Sequence, residues 1–436
     1  MRVLFVSGEM IAGDVAYRLR NEGCDVRLFI GDESRKDCFD NMVEKTDDWR
    51  KELEWVGKDG LIVFDDVGYG KEQDELRRNG FTVFGGCEKG DELEQDREFG
   101  QKVFESCGME IAESKNFDNF DDAIEFIGNN RARWVVKQNS HDGALSYVGM
   151  ADDGNDVISV IKSYKKFNKS SAISTITLQK RIDGVEIAIA RFFNGADWNG
   201  PIFVSFEHKP FLHGDLGPLT AEMGTLAWYD YDEDNKVFRE TLHRLKPYLQ
   251  RIGYRGYVDI NSIIDRERLI PLEATMRFGS PTNHMQSDMH VSSWADILRS
   301  TATGEMTDFR TREGYSVVVS IAIPPFPYKP SDSDNSYYLK DVDILFKETL
   351  SENEWRRIHF EEISKRVKAD QYYIAGSNGY SLFVSGSGTS VEEARKDAYA
   401  LVGKVIVPKM MYRTDIGVKF VEKDRELLKE WGWIVR

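Results

Sequence analysis

The first ~110 residues alternate short apolar runs with amphipathic stretches, the βα rhythm that usually gives a parallel sheet. Val3 to Val6 reads as a compact buried strand, Gly13 to Arg20 as an amphipathic helix, Val26 to Ile30 as a second strand and Leu61 to Phe64 as a third. A helix through Glu72 to Arg78 and a strand at Thr82 to Phe84 follow. Between the first strand and helix, Ser7-Gly8-Glu9-Met10-Ile11-Ala12-Gly13 is a place where a phosphate could rest on a helix N-terminus. It lacks the G-x-G-x-x-G pattern, and Glu9 and Asp14 would oppose an anion, so it reads as a structural turn.

Further along, two alternating apolar runs, Tyr257 to Ile264 and Leu269 to Thr275, flank the polar turn Asp265-Arg266-Glu267-Arg268. This pattern predicts a β-hairpin. Folding about the turn sets Asn261 nearly opposite Glu273, with Thr275 on the same face as Glu273 because side chains alternate along a strand. An oxygen-only set without His or Cys suits Mg²⁺ or Mn²⁺, and Mg²⁺ is usually held by one or two carboxylates together with nucleotide phosphates. Arg277 follows at the same mouth, where a planar fork can grip a carboxylate or phosphate. The pattern also fits an ordinary half-buried hairpin whose arginine pairs with a neighbour.

Two upstream segments carry weaker signals. Trp134 to Lys137 is a strand ending in lysine, followed by a polar loop from Gln138 to Gly149 long enough to fold over a triphosphate. Thr177 to Ala188 runs strand, tight Asp183-Gly184 turn, strand, and predicts a second hairpin. Its edge could offer backbone hydrogen bonds to adenine and Glu186 to ribose hydroxyls. Taken singly, each also fits a solvated strand end or a plain hairpin.

Composition narrows the class. At 436 residues the chain should hold two to four domains. A net charge of −16 argues against general nucleic-acid or membrane-surface binding. Cys24, Cys38, Cys87 and Cys107 show no C-x-x-C spacing, which argues against a zinc site or a disulfide framework. MRVLFVSGEM does not read as a secretion signal, and no apolar run reaches the ~18 residues of a membrane span. A cytoplasmic globular protein is expected.

The order of these segments resembles the ATP-grasp superfamily, whose two α+β lobes clamp ATP. Glu207-His208-Lys209, Gly214-Asp215-Leu216-Gly217-Pro218 and Glu222-Met223-Gly224 are similar, in register, to the DHK…GDTGP…GGMGA run of the phosphoribosylamine–glycine ligase family. Met276 to Pro281 resembles its CRFGDP, and Val83-Phe84-Gly85-Gly86 with Leu93 to Arg97 its VFGPS…LEGSK. Thr389 to Ala394 with Tyr412 to Gly417 resembles its T-x-E-E-A…YRRDIG. The resemblance spans roughly Gly80 to Gly417.

The resemblance implies that Lys137 and Lys180 contact the nucleotide, that Gln179 and Ile182 line the adenine edge, and that Glu186 holds the ribose. Asn261, Glu273 and Thr275 would face Mg²⁺ or Mn²⁺, and Arg277 would act catalytically on an acyl phosphate or substrate carboxylate. Glu207, Lys209, Asp215 and Gly224 would line the acceptor pocket. The implied architecture is an N-terminal parallel-sheet α/β domain (1–107), a two-lobed ATP-grasp domain (108–325, lobes about 109–193 and 194–325) and a small C-terminal α/β domain (326–436). In it, Pro330 to Ser336 forms a surface loop and Val421 to Trp433 a surface helix.

The implied activity is ATP-dependent amide formation between a small amino acid such as glycine and an amine, with small-molecule substrates and a monomer or homodimer. Departures bear on the amine. Where the family has a GSGGREHA-like turn that helps hold ribose phosphate, this chain has the acidic Ser7 to Asp14, and Asp65-Asp66-Val67-Gly68-Tyr69-Gly70 replaces GPE-A-P-L. The phosphate loop lacks the AAGKG glycines, Thr275 stands for asparagine and Gln179 for glutamate, and Ser280 and Thr282 replace the acidic pair of GDPE. The alternatives are a true phosphoribosylamine–glycine ligase of purine biosynthesis, with Lys89, Arg97 or His213 rebuilding the phosphate pocket, and a catalytically silent ATP-binding protein.

Overall fold

A computed structural model describes residues 1–138, 146–167, 176–328 and 339–435. Five parallel strands open the chain, in the order β3-β2-β1-β4-β5. They are β1 (Arg2–Ser7), β2 (Asp25–Ile30), β3 (Glu44–Lys45), β4 (Leu61–Phe64) and β5 (Val83–Phe84). β1 is buried on both faces, as its continuous apolar run requires. Val3 and Phe5 join the cluster of Val15, Ala16 and Leu19 on α1 (Gly13–Asn21), while Leu4 and Val6 pack with Trp49 and with Val56 of α2 (Leu53–Val56). Leu76 of α3 (Gly70–Arg78) covers that second face, and α4 (Glu88–Gln95) and α5 (Arg97–Ser106) lead away. The Ser7-to-Gly13 segment is a structural turn. Asp65 Oδ2 accepts from Ser7 Oγ and from the Ala12 N–H, both at 2.8 Å.

A small antiparallel lobe follows, built from β6 (Ser114–Phe117), α6 (Phe120–Asn129), β7 (Trp134–Gln138), β8 (Ser146–Val148), α7 (Asn155–Phe167) and β9 (Ile176–Lys180). Its sheet runs β6-β9-β7-β8. The two helices bury Ala123, Ile127, Val157 and Ile161 against Trp134, Val136, Ile176 and Leu178. Most of the polar loop after Lys137 lies outside the described residues, as does the Pro330 to Ser336 segment.

The expected hairpin across Asp183-Gly184 does not form. β9 stays in the small lobe, whereas β10 (Val185–Asn194) enters a separate eight-stranded antiparallel sheet. The physical reason lies in β10 itself, where Val185 and every residue from Ile187 to Asn194 are buried. A strand apolar on both faces belongs in a sheet interior, and β10 sits between two partners there. Gly184 makes the crossing because a Cβ would lie 2.3 Å from the Ile264 carbonyl oxygen.

The large sheet takes β11 (Trp198–Glu207), β14 (Gly224–Asp230), β15 (Arg255–Ile264), β16 (Leu269–Thr275) and β17 (Tyr315–Ala322) in the order β16-β15-β10-β11-β14-β17. The short pair β12 (Pro210–Leu212) and β13 (Leu216–Leu219) projects from it. Helices α8 (Lys236–Glu240), α9 (Leu242–Ile252), α10 (Thr282–Met289) and α11 (Trp294–Thr303) cover its flanks. Beyond the proline-rich segment, Tyr380–Gly388 pairs with β17 and then with Ile358–Phe360, so the same sheet continues to its far edge. Helix Val391–Val402 seals those strands; a Cβ on Gly386 would fall 2.1 Å from the Ala398 nitrogen. The C-terminal stretch forms a π-helical turn and the helix Arg425–Glu430, anchored by buried Phe420, Leu428 and Trp433. Among the described residues, no helix is long and apolar enough to cross a membrane.

Candidate active site

A cleft of about 630 Å³ lies between the small lobe and the large sheet. On the small-lobe side, the antiparallel register sets Val135 opposite Gln179 and Lys137 opposite Thr177. Strand alternation puts Val135 and Lys137 on one face, with Val148, Gln179, Lys180 and Ile182 beside them on the cleft wall. Arg181 also lines the wall and donates to the Gly149 carbonyl at 2.7 Å. Burial, with help from nearby Arg97, holds the Lys137 ammonium down to about 8. Glu186, at the start of β10, faces the same space.

The β15–β16 hairpin forms the opposite wall. Asn261 pairs with Glu273, and Asp259 pairs with Thr275, so the four side chains share one face. A bulge follows Asn261 and shifts the rest of the ladder. Asp259, two positions before Asn261 in the same alternating strand, falls on that face as well. Asp259 Oδ1 and Asn261 Oδ1 are buried with no hydrogen-bond partner, while Asn261 Nδ2 donates to Glu207 at 3.2 Å. Burial and the neighbouring Glu207 charge push the Asp259 carboxyl up to about 8.

Lys209 ties together three strands of the large sheet. Its ammonium donates to Glu186 at 2.9 Å, lies 3.1 Å from Glu207 and 3.9 Å from Glu273. Burial disfavours this charge, but the three carboxylates outweigh burial and hold it well above the ordinary lysine range. Enclosure would raise the Glu273 carboxyl, yet Lys209, Lys137, Arg97 and Arg277 together bring it to about 2. Ionised Glu273 and Thr275 line the cleft, whereas Asp259 and Asn261, with their unpartnered oxygens, share the hairpin face but are not among the cleft-lining residues. Carboxylate and amide oxygens are hard donors of the kind that fits Mg²⁺ or Mn²⁺.

The remaining sequence-selected residues separate. Glu207, Asp215 and Arg277 line the cleft, whereas Gly224 does not. Gly224 is a packing position with φ +148, where a Cβ would meet the Val318 carbonyl at 2.5 Å. Asp215 is paired with Arg413 at 3.0 Å and Lys419 at 3.4 Å. Arg277 bonds to Glu94 at 2.9 Å and to the Phe278 carbonyl, and lies 3.6 Å from Asp66, so its fork links the hairpin to the N-terminal domain. Arg97 lies 3.5 Å from Glu273, deep in the same cleft, rather than at the N-terminal sheet. A separate crevice at the carboxyl ends of β1, β2 and β4 is lined by Gly8, Glu9, Gly31, Asp32, Asp66, Val67, Gly68 and Tyr69, with no Lys or Arg among them.

Residues 95–282 match the family model described as the phosphoribosylglycinamide synthetase ATP-grasp (A) domain. The phosphoribosylamine–glycine ligase of Helicobacter pylori is 24% identical over 343 residues, covering 75% of this chain and 73% of that protein. The enzyme of the same name from Clostridium acetobutylicum is 23% identical over 320 residues, covering 71% and 72%. Among solved structures, the phosphoribosylamine–glycine ligase of Thermotoga maritima superposes with a TM-score of 0.70 at 19% identity, covering 95% of this chain and 100% of that one. A Campylobacter jejuni biotin carboxylase gives 0.65 at 10% identity, covering 98% and 96%.

Proposed function

We propose, from the premise that this chain is an ATP-grasp C–N ligase resembling the phosphoribosylamine–glycine ligases, that it joins a small amino acid, glycine or one near its size, to an amine other than phosphoribosylamine. The observation that carries the reading is the cleft lined by both Lys137 and Glu273, with Asp259, Asn261 and Thr275 on the Glu273 face of the hairpin.

The amino-acid carboxylate oxygen attacks the γ-phosphorus of ATP, the bond to the bridging oxygen breaks, and ADP leaves. Lys137, Lys180 and Arg97 bind the phosphates and spread the charge that develops on them. Glu186 and the edge at Gln179 to Ile182 orient ribose and adenine. Glu273, Asn261 and Asp259, with Thr275, would hold Mg²⁺ or Mn²⁺, which when bound offsets charge on the β- and γ-phosphates. The amine nitrogen then attacks the acyl-phosphate carbonyl carbon, phosphate departs, and the nitrogen gives up a proton. Lys209 keeps the carboxylates of Glu186, Glu207 and Glu273, on three strands of the large sheet, close together without their repelling one another. Closure of the lobes excludes water that would otherwise hydrolyse the acyl phosphate.

The choice against phosphoribosylamine rests on the N-terminal crevice. It lies at the sheet's topological switch point, where α/β domains commonly bind ligands, yet Glu9, Asp32 and Asp66 line it. A phosphate ester would meet repulsion there. ADP release measured with glycine and a panel of amines tests the proposal. Dependence on both an amino acid and a non-phosphorylated amine supports it, phosphoribosylamine as the required amine replaces it with the purine-biosynthetic reading, and release indifferent to both leaves a silent nucleotide binder.

A further inference from the structure

Away from the cleft, three side chains from three parts of the chain meet in the interior. Asp14 comes from α1, His284 from α10, and His359 from the strand Ile358–Phe360. All three are fully buried, and one donor atom from each lies within 4.8 Å of the others. Asp14 Oδ2 is 3.3 Å from His359 Nδ1 and 3.9 Å from His284 Nδ1. Both nitrogens of His284 lack a hydrogen-bond partner, although the residue has no contact with solvent.

We propose that Asp14, His284 and His359 bind one borderline divalent transition-metal ion, of which Zn²⁺ is the type, as a structural centre joining the N-terminal domain to the large sheet. The donors are two imidazoles and one carboxylate, a set suited to such ions rather than to Mg²⁺. Metal–nitrogen bonds of about 2.0–2.1 Å in tetrahedral geometry place neighbouring ligand atoms about 3.3 Å apart. The Asp14–His359 separation already has that value, whereas the His284 ring, 3.9 Å from Asp14 and within 4.8 Å of His359, has to move inward to complete the set. The outer nitrogens point the same way. His359 Nε2 bonds to Ser385 Oγ at 2.9 Å, and His284 Nε2 faces the unpartnered Glu361 Oε2 at 3.5 Å. An acceptor behind each imidazole is the usual support of metal-bound histidine.

Arg18 is the competing cation. Its guanidinium donates to Asp14 Oδ2 at 3.1 Å and to His359 Nδ1 at 3.0 Å. An ion would displace those two bonds, and Arg18 would keep its bonds to the carbonyls of Arg356 and Ile358. Asp14 and Glu361 supply two negative charges beside the ion, and Arg35, 3.4 Å from Glu361, joins Arg18 among the neighbouring cations.

The inference does not rest on the ligase reading. Its test is the metal content of the purified full-length protein, followed by Co²⁺ titration of the chelator-treated protein read through the visible absorption of the bound ion. The expected result is stoichiometric metal, a cobalt spectrum of imidazole–carboxylate type, and a rise in Tm on adding Zn²⁺. His284→Gln and His359→Gln should abolish the spectrum, Glu273→Gln should leave it intact, and Arg18→Gln should tighten binding. If the two histidine variants do not fold, the wild-type metal content and cobalt spectrum decide. A wild-type protein that takes up no Zn²⁺ or Co²⁺, or a spectrum that vanishes with Glu273→Gln instead, overturns the proposal and leaves Arg18 as the cation of this junction.

Discussion

The Lys209 ammonium lies 2.9 Å from the Glu186 carboxylate, so the residue proposed to hold ribose and the run proposed to line the acceptor pocket share one ion pair. Glu207 and Glu273 complete the clasp. Removing the cation leaves those carboxylates close together with reduced compensation. Lys209→Met should therefore lower kcat for ADP release by about 10²–10³, the scale of losing one preorganised charge at a reacting centre. Steady-state kinetics with the wild-type substrates check this, and circular dichroism confirms that the variant is folded.

The metal set gives a graded expectation. Glu273 is ionised, whereas Asp259 is held up to about 8, so Glu273→Gln should raise the Mg²⁺ requirement more than Asp259→Asn. Losing one hard ligand should weaken Mg²⁺ binding about 10–100-fold or more, judging from the smaller effect of second-shell changes. Titration of activity against Mg²⁺ and Mn²⁺ measures both. Because the metal needs the ionised carboxylate, Mg²⁺ affinity of the wild type should rise with pH until about 8 and then level off. Asp259→Asn should flatten that rise.

Lys137 titrates with the opposite consequence. Its ammonium is held down to about 8, and only the protonated form attracts phosphate. ATP affinity should accordingly be highest below that pH and fall as the pH passes it. Arginine stays charged throughout. Lys137→Arg should abolish the alkaline fall even if it weakens binding overall. Fluorescent-nucleotide binding from pH 6 to 10, as an assay range around the value near 8, distinguishes this effect from alkaline unfolding when circular dichroism is followed in parallel.

Gly184 marks the crossing from the small lobe to the large sheet. A methyl group there meets the Ile264 carbonyl oxygen at 2.3 Å and the Ile263 side chain at 2.7 Å, and the Ile264 backbone cannot swing aside as a flexible side chain would. Gly184→Ala should destabilise the protein by about 1–3 kcal/mol, the usual cost of forcing a methyl group into filled space. Urea unfolding gives the value. Adenine-nucleotide affinity should fall too, since Glu186 lies two residues away on β10.

The hairpin was legible but its exact register was not: counting from the turn pairs Ile264 with Leu269 and Ser262 with Pro271, which would set Asn261 opposite Leu272, and the bulge after Asn261 brings Glu273 into that place instead. The parallel sheet was equally legible, since β1 and β4 are buried at nearly every position and such runs belong between two helical layers. The fate of Asp183-Gly184 was not. A tight turn constrains only four residues, and whether its flanking strands pair depends on partners far away, here β15 for β10 and β7 for β9. Arg277 lines the cleft, and its partners Glu94 and Asp66 come from the N-terminal domain, where no local pattern could announce them. The same holds for Asp14, His284 and His359, which lie far apart in sequence and become neighbours only through the fold.

The account stands or falls on acyl-phosphate formation. Glycine carrying a heavy-oxygen label in its carboxylate, incubated with ATP, Mg²⁺ and a non-phosphorylated amine acceptor, should transfer that label to inorganic phosphate as amide accumulates. The transfer should disappear in Glu273→Gln. Amide formed with no label in phosphate, or ADP release that proceeds equally without amino acid and amine, would contradict it.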